Sequence, residues 1–105
     1  MLDRQSQNVA AIEDSVSKFL SALGVVDNPE VIGTPERVAE LWTENLLSGY
    51  ATDPKTLFDD YIDDTNGAIV CLVGIPFHGV CPHHLVPYFG TADIAFEPNG
   101  RIVGL

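Results

Sequence analysis

The sequence predicts an α+β chain, with N-terminal helices followed by antiparallel strands. Three observations carry this. Apolar residues recur at helical spacing from Val9 onward. The texture turns β-rich after Asn66-Gly67. Helices come first and strands second, without the alternation that builds a parallel sheet.

Val9, Ile12, Val16, Phe19, Leu20 and Leu23 form one apolar face of a first helix, and Gly24 stops it. Asp27-Asn28-Pro29 reads as a turn. A second helix starts with Thr34 as cap and Pro35 at its first position. Its apolar face is Val38, Leu41, Trp42 and Leu46, and Gly49 ends it. A short third helix is expected from Pro54, capped by Asp53, with Leu57, Phe58, Tyr61 and Ile62 on one side. The acidic cluster Asp59, Asp60, Asp63 and Asp64 reads as a solvated face, because the spacing and glycine of a calcium loop are missing. Ala68–Val73 is almost wholly apolar, like a strand buried on both faces. A Gly- and Pro-punctuated loop, Gly74 to Pro87, holds all three histidines. Ala92, Ile94 and Phe96 then alternate with Thr91, Asp93 and Glu97 as a half-buried strand. Pro98-Asn99-Gly100 turns the chain into a last strand at Arg101-Ile102-Val103. The expected organisation is one incomplete domain over 1–105, helical over 1–64 and β over 65–105. Two or three strands with one apolar face are marginal alone and need more strands, a helix layer or a partner subunit.

Composition excludes several functions. Fifteen acidic residues against five basic give a formal net charge of −10, which argues against a nucleic-acid or anionic-membrane surface. A local basic cluster for an anionic small substrate remains open. Apolar residues make up 46% of the 105, too many for a disordered segment. The sequence opens on no secretory pattern, and its longest apolar run is far too short to span a bilayer. Two cysteines, Cys71 and Cys81, fit free thiols in a cytoplasmic protein. Cys71, in the apolar strand, reads as a small core residue.

The loop concentrates the chemistry. Cys81 and His84 are three apart, a spacing that puts both on one side of a helical turn. Thiolate plus imidazole suits zinc. Pro82 at the first position of a short helix would make Cys81 its cap, where a thiol ionises more readily. His83, between them, must point elsewhere and is suited to proton transfer. His78, Cys81 and His84 are evenly spaced, so a three-ligand set stays open beside a two-ligand pair, a site-lining His78, or a loop without metal.

Several segments now resemble GTP cyclohydrolase I, in order and at matching distances. They are Thr34-Pro35-Glu36-Arg37-Val38-Ala39, Leu47-Ser48-Gly49-Tyr50, Ile75-Pro76-Phe77, Cys81-Pro82-His83-His84-Leu85 with Pro87 and Phe89-Gly90, and Ala95-Phe96 through Pro98-Asn99-Gly100-Arg101-Ile102-Val103-Gly104-Leu105. The resemblance runs from about Ile32 to Leu105. It implies a tunnelling fold, in which antiparallel sheets of several subunits join into a barrel within a homo-oligomeric ring. It implies zinc-dependent opening of the guanine ring of GTP, with attack of water at C8, to give 7,8-dihydroneopterin triphosphate and formate. Carried over by position, Cys81 and His84 match zinc ligands, His83 matches the acid–base histidine, and Arg37 matches an arginine that reaches the triphosphate at a subunit interface. Pro82 stands where the family commonly has Glu. The resemblance also implies that the third zinc ligand, a cysteine, lies beyond residue 105, as do the basic phosphate-holding residues, the guanine-recognising glutamate and a second catalytic histidine. Two other readings follow. One is a catalytically incomplete subunit that binds or regulates a full-length homologue; the other is a different tunnelling-fold pterin or deazapurine enzyme.

Overall fold

The computed structural model describes residues 7–103, which form two α-helices followed by four antiparallel strands. Contacts divide the chain into two compact units, Met1–Ala51 and Thr52–Leu105.

In the first unit, α1 (Val9–Ala22) opens on Asn8, whose Oδ1 accepts from the Ala11 N–H at 3.0 Å. It stops at Gly24, as expected. Gly24 takes φ 72°, and its N–H and that of Val25 donate to the Ser21 and Leu20 carbonyls, closing a Schellman end. Ile12, Val16 and Leu20 are half-buried, one turn apart, whereas Phe19 of the same expected face is 62% exposed. The chain then turns on Asn28, whose Oδ1 accepts from the Glu30 N–H at 2.9 Å.

α2 (Thr34–Glu40) begins one residue earlier than expected. Its cap is Gly33, left-handed at φ 73°, and not Thr34. The Thr34 hydroxyl is engaged by Arg37 instead. α1 packs on α2, and the small residues Ala39 and Thr43 are buried, with the Thr43 hydroxyl donating to the Ala39 carbonyl at 2.8 Å. Beyond Glu40 the helix widens into a π turn, Leu41–Leu46, whose Trp42 carbonyl accepts from Leu47 N–H. It ends before Gly49, which lies in a 3-10 turn, Ser48–Ala51.

The second unit departs further from expectation. Asp53 does cap the next segment, accepting from the Lys55 N–H at 3.0 Å, but Pro54–Phe58 is a 3-10 turn that stops at Phe58. Tyr61 and Ile62, expected on that helix, belong to β1 (Tyr61–Asp63), which pairs with β4 (Arg101–Val103). The distant strand offers the Tyr61–Asp63 backbone partners that a short helix lacks. The Arg101 guanidinium lies 4.5 Å from the Tyr61 ring centre.

β2 (Val70–Val80) runs through most of the segment expected as a loop and pairs with β3 (Pro87–Phe96). The glycine punctuation at Gly74 marks a bulge: Leu72 faces Ile94, Ile75 faces Ala92, and Val73 and Gly74 between them oppose Asp93 alone. Gly74 sits at φ 71°, its N–H donating to Asp93 Oδ1 at 2.7 Å. Among the described residues no ladder joins the two strand pairs into a closed barrel. The apolar strand is not buried on both faces, since Val73 is 77% and Ile69 69% exposed, and Cys71 is exposed rather than a core residue. Burial on both faces needs a covering layer on each, and within the described residues only Ala39, Thr43 and Pro98 are buried. No helix among the described residues is long and apolar enough to cross a membrane.

Gly74 is the position where the hairpin backbone asks for glycine, with open space around it. We expect Gly74→Ala to destabilise the protein by about 1 kcal/mol, the cost of a left-handed L-residue, as a lower denaturant midpoint at unchanged m-value. An unchanged midpoint would mean the bulge tolerates a side chain.

Candidate functional site

The hairpin delivers its turn through a glycine–aromatic clasp. Each strand carries an aromatic two residues before a glycine, Phe77 with Gly79 and Tyr88 with Gly90. Antiparallel register sets Phe77 opposite Gly90 and Gly79 opposite Tyr88, so each ring covers the other strand's glycine. A Cβ at Gly79 would lie 2.5 Å from the Tyr88 hydroxyl oxygen, and one at Gly90 would lie 2.9 Å from Phe77 Cζ. The two rings meet edge-on, with centres 6.4 Å apart. The paired aromatic-x-glycine spacing was the available sequence signal for this clasp, legible only once the strands are paired.

Beyond the clasp, the Cys81 N–H donates to the Val86 carbonyl at 3.0 Å, and the Leu85 N–H donates to the Cys81 carbonyl at 2.8 Å. Residues 81–85 are thus wound into a single helical turn, with Pro82 just inside it. The turn does not continue as a helix: Leu85 swings to φ 55° and returns the chain to β3. Such a turn carries residues three apart to one side, which is the relation of Cys81 to His84. Cys81 is half-buried, while His83 and His84 are exposed.

His83 departs from the expectation that it points away from the other donors. Its Nδ1 lies 3.6 Å from Cys81 Sγ. His78 is on β2 opposite Phe89, its ring tilted against the phenyl with centres 6.2 Å apart. No three His, Cys, Asp or Glu side chains converge as a metal cage among the described residues, so the set of His78, Cys81 and His84 is not assembled here. Cys81 and His84 remain as a sulfur–nitrogen pair on one turn.

Arg37 lies in the first unit, the turn in the second. Its Nη1 donates to the Ile32 carbonyl at 3.1 Å and its Nη2 to Thr34 Oγ1 at 2.9 Å.

Residues 12–105 match the sequence profile of the GTP cyclohydrolase I family. The chain is 41% identical over 102 residues to GTP cyclohydrolase 1 of Streptococcus agalactiae, covering 93% of this chain and 53% of that protein. It is 38% identical over 103 residues to GTP cyclohydrolase 1 of Streptococcus thermophilus, covering 94% of this chain and 54% of that protein. Against GTP cyclohydrolase 1 of Chromobacterium violaceum it is 39% identical over 98 residues, covering 92% and 48%. The chain therefore spans about half the length of the curated relatives it matches.

The left-handed Leu85 is the strained point of the turn, and its side chain is exposed. We expect Leu85→Gly to relieve that strain and stabilise the hairpin by up to about 1 kcal/mol, read as slower amide exchange in β2 and β3. Faster exchange would show that the leucine side chain contributes more than its backbone costs.

Proposed function

We propose a function from an established premise: this chain belongs to the GTP cyclohydrolase I family. The protein of which these residues form about half the family length hydrolyses GTP to 7,8-dihydroneopterin triphosphate and formate, in a zinc-dependent reaction. One observation carries this reading. The family match runs through residues 12–105 and takes in the Cys81-Pro82-His83-His84 turn, where the hairpin presents sulfur and imidazole donors together.

The donor chemistry fits zinc. Cys81 and His84 would hold it, a thiolate and an imidazole being ligands zinc prefers. A catalytic zinc takes three protein ligands, so the third comes from outside the described residues. When bound, zinc supplies a Lewis acid for the attack of water on the guanine ring. His83 would hold and move the proton. The contact of its Nδ1 with the Cys81 sulfur orients the ring and leaves Nε2 as the nitrogen for proton transfer. Arg37 binds the triphosphate through its planar fork of donors.

The uncovered strand faces support completion of a tunnelling fold by further strands and by other copies in a homo-oligomer. Two free cysteines fit a cytoplasmic setting.

Three substitutions test the assignment in the protein at its natural length. Cys81→Ser should lose most of its zinc by elemental analysis, and full zinc content would remove Cys81 from the ligand set. His83→Ala should keep its zinc while kcat falls about 10²- to 10⁴-fold, the usual worth of a positioned proton-transfer group; normal turnover would end its catalytic role. Arg37→Ala should raise KM for GTP, and an unchanged KM would separate Arg37 from the triphosphate.

A further inference from the structure

The Arg37 guanidinium is held by two acceptors that orient it without neutralising it. Ile32 offers a carbonyl and Thr34 a hydroxyl, and neither is charged. No carboxylate among the described residues pairs with Arg37, whose side chain is exposed. Two of its five N–H groups are used, and three remain for an incoming ligand. The backbone is shaped for this arrangement. Gly33, left-handed at φ 73°, turns the chain between the two acceptors, and a Cβ there would lie 3.1 Å from Arg37 Nη1. Glycine therefore serves twice at this position, for its φ and for the room it leaves the guanidinium.

A long cationic side chain free on a surface samples many rotamers and loses them on binding. Holding it beforehand removes part of that cost. We infer that Thr34 is a positioning residue, its hydroxyl presetting the Arg37 guanidinium, together with the Ile32 carbonyl across Gly33, for the triphosphate of GTP. The inference rests on the reading of Arg37 as a triphosphate contact and adds to it the residue that aims it. Thr34 itself touches no substrate. It leaves the guanidinium charge intact for phosphate oxygens, which a carboxylate partner in its place would offset.

Steady-state kinetics with GTP test this in the protein at its natural length, using Thr34→Val, Thr34→Ser, Arg37→Ala and the double variant Thr34→Val/Arg37→Ala, with melting temperature and zinc content measured for each. Thr34→Val should raise KM about 3- to 10-fold at unchanged kcat, the scale of one rotamer-rich side chain ordered on binding. Thr34→Ser, which keeps the hydroxyl, should restore KM. The double variant should be no weaker than Arg37→Ala alone, because Thr34 acts only through the arginine. If Arg37→Ala raises KM but Thr34→Val does not, the positioning role is overturned and the arginine reading stands. If Arg37→Ala leaves KM unchanged, the arginine reading fails and this inference with it. A fall in melting temperature and kcat shared by Thr34→Val and Thr34→Ser would make Thr34 a structural residue and overturn the inference.

Discussion

The antiparallel register that sets Leu72 opposite Ile94, and past the bulge Ile75 opposite Ala92, fixes where the Cys81–Val86 turn falls and which way its side chains leave the hairpin. Strand side chains alternate between faces, so a slip of one residue would break the pairing of ring with glycine at the clasp. The Gly74–Asp93 hydrogen bond pins the bulge at one end, and the crossed pairs Phe77–Gly90 and Tyr88–Gly79 close the other. The donors at the tip are thus held by backbone geometry some distance from the chemistry. A short turn is too small to enforce that geometry alone.

The same sheet leaves its apolar faces uncovered. Val73 and Ile69 are exposed, as are Phe89 and Ile94 on the partner strand. Two-stranded ribbons of this kind are marginal in water, and their stability depends on whatever layer covers them. The curated relatives are about twice as long as this chain, and in the proposed reading further strands of the family fold and other copies would supply that layer. In the proposed reading the site and the fold share this condition: the turn offers two zinc donors of a set of three, and the hairpin offers one part of a sheet.

The two candidate sites solve one physical problem in different ways. At the turn, His83 leans on the Cys81 sulfur, and a single helical turn groups the donors. At the start of α2, a carbonyl and a hydroxyl hold the Arg37 fork while sparing its charge. In both, local contacts restrict a side chain before any ligand arrives, which limits the entropy lost on binding.

Local chemistry was legible in the residues. The Gly24 stop, the Asp53 cap, Pro35 in the first turn of α2 and the α+β order all follow from propensities that act within a few positions. The grouping of Cys81, His83 and His84 was legible because they lie within four positions, and the family because several short segments between Ile32 and Leu105 stand in order at matching distances. Non-local pairing decided the rest. Tyr61 and Ile62 carry a helical pattern, but β4, far along the chain, makes them a strand. Gly74 reads as the start of a loop until Asp93 accepts its N–H and turns it into a bulge. Thr34 reads as a cap until Arg37 takes its hydroxyl and the left-handed Gly33 assumes that place. In each case a backbone or side-chain group had two possible partners, and only the folded chain brought the second within hydrogen-bond reach.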